Sequence, residues 1–599
     1  MMAPRAQPMY FGPPGEGLFG WLHRASEGSA SGLALLVCNP FGFEEVCAHR
    51  SLRQLAMATA AAGVPTLRFD YAGCGNSEGD EFEPQCWARW IRSIHTAIAT
   101  LKQASGATRV CLLGVRLGAA LATLAALERD DVAGLIAIAP VLRGRNYLRE
   151  LTILGESSAA ASLDTCTGDG VLESAGFVLT RETSDALAQV DLRKLDKAPA
   201  PRALVVERDD MPGAAAWLPE LQRLGVDVQC ANWAGYAAMM DDPQRAQVPH
   251  AIIGGVVACL QAWGHAVADA PGEARTVGAA SQRVIDPQRG GAPAVVERAV
   301  HIDAGTARMF GILTSADADT GPPPAARPAV LMLNSGSVHH IGPNRLWVRL
   351  ARQWAQRGIT VLRIDISGIG DSDVREGAQD NVVYSPHAMQ DVAAALVYLR
   401  AQAGATECHA MGLCSGAYHA LKAAVAGQEI ASSLMINPLT FFWKQGMELS
   451  DVKDYEVNAL TAKYRRKLTT GEPWRKLLRG ELDWRVIRQA VRRRLWGFVH
   501  PHLLALARAL RLPIRNDLAR ELRQAAEHGI RLRFVFAADA PGFELLQQQS
   551  GRAMAPLLAA RQASIDFVSG ADHTFTRREA RERLVALLDE VMHGTTVHR

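Results

Sequence analysis

Residues 407–420 read ECHAMGLCSGAYHA, and residues 109–122 read RVCLLGVRLGAALA. Each is a short apolar run, a turn framed by two glycines, and then a stretch with helical spacing. That sequence of features predicts a buried parallel strand passing sharply into a crossover helix. Glycine is required on both sides of such a turn because a side chain there would collide with the strand or the helix. Working outward, the first copy is flanked by 33-LALLVCNPFG, 65-PTLRFDYAGCGNSEG and 134-GLIAIAP. The second is flanked, in the same order, by 329-AVLMLNSGS, 360-TVLRIDISGIGDSD and 432-SSLMINP. The chain therefore repeats itself once, at a period near 300 residues.

Stretches such as 50-RSLRQLAMATAAAG and 345-RLWVRLARQWAQRG have helical spacing and stop on Gly. Strands alternating with helices predict two doubly wound, mostly parallel α/β sheets. The expected division is a first domain over 1–264, an Ala/Gly/Pro-rich linker over 265–292 and a second domain over 293–599. A loop or hairpin is expected at 316-ADADTGPPPAARP, before the third strand of the second half. The first half carries an insertion at roughly 141–200. The second carries a larger one, a helical lid at about 440–530 containing Trp443, Trp474, Trp484 and Trp496.

Composition narrows the class. Of 599 residues, 48% are hydrophobic and 21% charged, ordinary values for a globular chain. The net charge of +3 gives no global case for nucleic acid. It hides a polarised molecule, because residues 440–530 hold 19 Lys+Arg against 10 Asp+Glu. No apolar run is long enough for a membrane span, 252-IIGGVVACLQAWG being the nearest, and the N-terminus lacks an apolar signal core. The ten cysteines are scattered and lack zinc-site spacing. A reducing cytoplasm is the expectation, with no metal and no cofactor.

In the second half the glycine-framed turn projects Cys414. A thiol at a helix N-terminus gains thiolate character from the helix dipole, which suits a nucleophile. A base and an orienting acid should then arrive from the ends of later strands. The run 531-RLRFVFAADAPG places Asp539 after one strand, and 563-ASIDFVSGADHTFT places His573 after the next. Asp566 and Asp572 compete for the acid role, less well because they lie beside the histidine in sequence. The oxyanion hole is expected from the Ser415 amide and one from Gly336 or Ser337 in 334-NSGSVHHIGPNR. His339 and His340 either touch substrate or are solvated loop residues.

The equivalent turn of the first half carries Arg116, a permanently protonated group that cannot attack a carbonyl. Tyr236 or a neighbour stands where the histidine would be, and an acid persists at Asp209 as a partner for Arg116. The first half therefore reads as an inactive scaffold, or as one in which Arg116 binds an anionic group of the substrate.

These turns and their flanks resemble two α/β-hydrolase-like proteins of exosortase A systems. The type with Arg at the elbow resembles the first half through 10-YFGPPGEGLFGWLH, 70-DYAGCGNSEGD and GVRLG. The type with a G-L-C elbow resembles the second through 365-DISGIGDSD, GLCSG and GADHTF. The segment 334-NSGSVHH departs from that pattern. The resemblance implies tandem α/β-hydrolase domains, with hydrolase or acyl-transfer chemistry beside bacterial exopolysaccharide and acyl-carrier biosynthesis. A cysteine elbow is also similar to those of dienelactone hydrolases and polyhydroxyalkanoate synthases. The residues together point to an ester or thioester substrate, with CoA or an acyl carrier protein as donor and an S-acyl intermediate on Cys414. The competing classes are a non-catalytic scaffold that organises partner proteins and a membrane-surface enzyme using the basic lid.

Overall fold

The computed structural model describes residues 6–25, 32–158, 170–265, 281–285, 293–317, 327–444, 447, 515–538 and 540–596. The chain divides into two compact units, Met1–Pro324 with Ser337–Val382 and Ala325–Gly336 with Val383–Arg599.

The first unit holds an eight-stranded sheet. Its strands are β1 (Gln7–Phe11), β2 (Leu18–His23), β3 (Leu33–Cys38), β4 (Thr66–Phe69), β5 (Arg109–Val115), β6 (Val132–Ile138), β9 (Arg202–Val206) and β10 (Asp227–Ala231). The order is β1-β2-β4-β3-β5-β6-β9-β10. β1, β2 and β4 are antiparallel neighbours, and the rest run parallel. A small hairpin, β7 (Leu172–Ser174) with β8 (Phe177–Leu179), comes from the 141–200 insertion.

The wholly apolar strands have a direct cause in this architecture, since both sheet faces are covered. On β3, Ala34, Leu36 and Cys38 point into one core, with Trp90 and Ile94 of α2 (Cys86–Ser105) and Leu121 of α3 (Leu117–Leu127). Leu33, Leu35 and Val37 point into the other, with Leu52 and Leu55 of the helix Phe43–Ala61 and Val256 and Leu260 of His250–His265.

The same series recurs. The first unit also contains β11 (Gln282–Ile285), β12 (Val295–Ala304), β13 (Ala307–Ala316) and β15 (Thr360–Ile364), paired antiparallel in that order. β11 lies inside the expected linker; Val284 and Arg283 alternate there against Val296 and Glu297, enough to form one edge strand. The expected loop at 316-ADADTGPPPAARP lies largely outside the described residues. The second unit contains β14 (Pro328–Met332), β16 (Glu407–Leu413), β17 (Ser432–Ile436), β18 (Arg531–Ala537) and β19 (Ala563–Val568), all parallel. Most of the expected lid also lies outside the described residues. Within the described part of that span, Leu518–Glu527 is the helix leading into β18.

The motif shared by 70-DYAGCGNSEG and 365-DISGIGDSD proves to be one turn built twice. Asp70 accepts the Asn76 amide at 2.8 Å, and Asp365 accepts the Asp371 amide at 2.9 Å. Ser77 Oγ donates to the Asp70 carbonyl and accepts from Phe19 N; Ser372 does the same for Asp365 and Phe310. Gly75 and Gly370 sit at φ 49° and 56°, where a Cβ would come within 2.3 Å of the carboxylate they wrap.

Three arginines of the second repeat grip the first turn. Arg345 donates to the carbonyls of Gly75, Ser77 and Gly79 at 2.6–2.8 Å, and Arg352 to that of Asn76 at 2.9 Å. Arg363, fully buried, reaches Asn76 Oδ1 at 2.9 Å and Glu297 Oε1 at 3.0 Å. Glu297 also accepts from Arg352 at 2.8 Å. Burial alone would raise the Glu297 carboxyl, but the two guanidiniums hold it below its ordinary value. Beside these ion pairs Tyr10, Phe19 and Trp21 pack on Ala299, Phe310 and Ile312 in one apolar cluster.

Buried histidines give the fold an acid limit. His409, on β16, is 2% exposed and bonded to Ser432 Oγ at 2.8 Å. Burial, reinforced by Arg531 and Arg533, pushes its imidazole down to about 4. Between pH 6.5 and 4 the unfolded chain therefore binds the extra proton and the folded chain does not. Stability should fall across that window by about 3 kcal/mol for this group and be complete above it. Urea titrations at pH 7 and 4.5 should show a smaller loss for His409→Gln than for the wild type.

Candidate active site

Both glycine-framed turns adopt the conformation that projects a side chain. Cys414 sits at φ 60°, ψ −114°, and Arg116 at φ 53°, ψ −119°. Twelve residues other than Gly have positive φ among the described residues, and holding Cys414 there requires close packing around it. That packing is visible at its glycines. A Cβ on Gly412 would lie 2.2 Å from Gly416 C, and one on Gly416 would lie 2.6 Å from the Asn334 carbonyl. Cys414 N donates to Ile436 O at 3.0 Å, and α4 (Ser415–Val425) starts at the next residue.

Because β16, β17, β18 and β19 are parallel, the segments that follow them leave the sheet at one edge. Cys414 follows the first and Asn437 the second. His573 lies beyond the last. Asn437 ties this edge together: its Nδ2 donates to the His573 carbonyl at 2.8 Å and its Oδ1 accepts from Ala537 N at 2.8 Å. Burial lowers the His573 imidazole to about 4, which keeps it neutral at pH 7. Asp539 lies outside the described residues. Of its competitors, Asp572 is engaged by Thr576 N and Oγ1, both at 2.7 Å, within the loop that precedes the helix at Arg578–Thr596. Asp566 sits within β19 itself.

The oxyanion candidates separate. Ser415 begins α4, but the Gly336 amide donates to Ser415 Oγ at 2.8 Å. Ser337 is the next residue along, with its Oγ buried. His339 and His340 depart from both expectations: they are 3% and 1% exposed and face the first repeat. His340 bridges Asp365 at 2.8 Å and Asn76 at 2.9 Å, while His339 stacks on His49 with ring centroids 3.9 Å apart. The loop that carries them is held by the turn at 70–79, an arrangement invisible in either half alone.

Two tyrosines near the thiol, Tyr384 and Tyr418, carry no signal in the sequence, and they meet Trp443 of the expected lid. Tyr384 is buried, feels the Cys414 thiol electrostatically, and stacks on Trp443 at 4.0 Å with Tyr418 edge-on at 5.2 Å. Tyr384 precedes its helix in an irregular stretch, so no periodicity marks it.

In the first repeat, Arg116 does not meet Asp209. It is ion-paired with Glu44 at 2.7 Å and with Glu150, and lies over the Tyr147 ring. Two carboxylates neutralise it, so its charge is committed within the protein rather than offered to an anion. Asp209 instead accepts the amides of Gly235 and Ala237, and Tyr236 is buried beneath Arg208.

A strand–turn–helix with its middle residue at positive φ, on a mostly parallel sheet opened by antiparallel strands, occurs here twice. The fold is that of the α/β hydrolases. Residues 42–177 match the family described as serine aminopeptidase, S33, which places the match on the repeat that carries Arg116. Among curated proteins none matches the sequence. Similar solved structures include Est1E from Butyrivibrio proteoclasticus with ferulic acid bound, at 19% identity and TM-score 0.33 over 43% of this chain and 97% of that one. A putative hydrolase from Agrobacterium vitis S4 is 17% identical, with TM-score 0.30, over 43% of this chain and 98% of that one. The α/β hydrolase GrgF from Penicillium sp. sh18 is 17% identical, with TM-score 0.31, over 44% and 98%. Among the described residues no helix is long and apolar enough to cross a membrane.

Proposed function

We propose that the second α/β-hydrolase repeat cleaves or transfers an acyl group from an ester or thioester through a covalent intermediate on Cys414. The observation that carries this reading is the thiol held at φ 60° at the start of a helix, on the edge where the His573 loop is tied down. The Cys414 sulfur attacks the carbonyl carbon, forming a C–S bond as the bond to the leaving group breaks. His573 takes the thiol proton and gives it to the departing alkoxide or thiolate. Water or an acceptor hydroxyl then attacks the acyl-cysteine, losing its proton to His573 and releasing the thiol. Asp539 is assigned to orient that histidine, and the amide of Ser415 to receive the developing oxyanion. An acyl-cysteine and an acyl thioester are close in energy, which favours CoA or a carrier protein as donor. The first repeat, whose Arg116 is neutralised internally, acts as a scaffold.

Incubation with an activated acyl thioester, followed by peptide mass spectrometry, tests this. One acyl group on the Cys414 peptide, absent from Cys414→Ala, is the expected result. Equal labelling of both proteins sinks the assignment.

A further inference from the structure

Where the second repeat's loop meets the first repeat, we infer a binding site for one divalent transition-metal ion, held by Glu45 and His49 of one helix and His339. The inference is independent of the reading of Cys414. One side-chain oxygen or nitrogen from each of the three residues lies within 4.8 Å of the others. Ligand atoms around a tetrahedral zinc are about 3.3 Å apart, and the set closes on an ion once the stacked His49 and His339 rings tilt so that their nitrogens converge. Glu45 and His49 are four residues apart and share a helix face. His339 arrives from residues 334–345, the stretch of the second repeat that departs from its expected pattern.

Three further observations favour a cation. His339 Nδ1 is buried and has no hydrogen-bond partner among the described residues, a costly condition that a metal ion relieves. A small cavity lies at the site, lined by Glu45, His49, His339, Asp70, Asp371 and Arg68. Three carboxylates, those of Glu45, Asp70 and Asp371, line it beside one guanidinium. Arg68 pairs with Asp371 at 2.8 Å, which leaves the carboxylates of Glu45 and Asp70 facing the cavity.

The surroundings already supply an orienting partner. His49 presents Nδ1 to Glu45 at 3.5 Å and Nε2 to Asp371 at 3.1 Å. Binding through the Nδ1 side leaves Nε2–H donating to Asp371, the carboxylate–histidine–metal arrangement of many metal sites. Asp371 is thus a positioning residue. Two imidazoles and a carboxylate select zinc and its neighbours over calcium or magnesium. Because the ligands come from both repeats, the ion would fasten one to the other.

The test uses the full chain without a histidine tag, stripped with EDTA and titrated with zinc against a chromogenic chelator. Wild type should take up one zinc at micromolar concentration and melt at a higher temperature with zinc than without. His339→Ala and Glu45→Gln should lose this uptake, and Asp371→Asn should weaken it by about 10–100-fold. Cys414→Ala should bind as wild type does. No uptake by wild type, wild-type uptake by His339→Ala, or loss of uptake in Cys414→Ala each overturns the proposal. Should the ligand variants fail to fold, cobalt(II) in the Cys414→Ala protein decides. Visible d–d bands without a sulfur charge-transfer band support the site, and a featureless spectrum refutes it.

Discussion

Replacing Cys414 with alanine should lower kcat/KM for an activated ester or thioester by about 10⁴-fold or more, the range seen when a nucleophile is removed from a hydrolase. The size of the effect follows from the covalent route. Without the sulfur no acyl intermediate forms, and what remains is water attacking a substrate held near Ser415. Cys414→Ser should fall between the two, since a hydroxyl keeps the geometry but depends fully on His573 for deprotonation. His573→Gln should approach the alanine variant, and the double variant should be little worse than either single one, because the two residues act as a unit. Steady-state kinetics on all four proteins makes the comparison. More than one-tenth of wild-type activity in Cys414→Ala would move the chemistry elsewhere.

The second large effect concerns stability. Glu297→Leu should destabilise the first unit by about 3–5 kcal/mol, because it strands Arg352 and Arg363 without their shared counter-charge. Arg363 is fully buried and has nowhere to reach water. The double variant Glu297→Leu, Arg363→Met should recover part of the loss, since removing both partners is far cheaper than removing one. Urea denaturation of the single and double variants reads the difference. A single variant within 1 kcal/mol of wild type, about a fivefold change in the folding equilibrium, would show that solvent reaches these arginines.

How much of this was legible beforehand depends on the distance over which a signal acts. The strands of both sheets and the two elbows are local patterns, and Gly412-x-Cys414-x-Gly416 announces its own geometry because steric exclusion acts over five residues. That Cys414 and His573 follow β16 and β19 could be read from the strands themselves, while Asp539 lies outside the described residues. Partners chosen by tertiary packing could not. Arg116 meets Glu44 and Glu150 rather than Asp209 because the helices at 43–61 and 144–158 bring those carboxylates over the elbow. His339 and His340 looked like loop histidines because their partners, His49 and Asn76, lie some 264 to 290 residues away. β11 was hidden inside an Ala/Gly/Pro-rich stretch because a four-residue edge strand needs little apolar content. The paired aspartate turns were recorded as a motif, but their role in anchoring Phe19 and Phe310 required the hydrogen bonds.

The shared cluster of Tyr10, Phe19, Trp21, Ala299, Phe310 and Ile312 bears on how this chain can be divided. A gene fragment beginning at residue 293 would encode every proposed catalytic group, yet it would leave Phe310 and Ile312 bare and Glu297 without the turn its arginines grip. Such a fragment should be recovered as aggregate, and co-expression with residues 1–264 should restore solubility. The half without a nucleophile is then not surplus to the half that has one. A lesion at Trp21 would be inherited as a defect of the strands beyond residue 293, so that selection on the repeat with Cys414 would also preserve the repeat with Arg116.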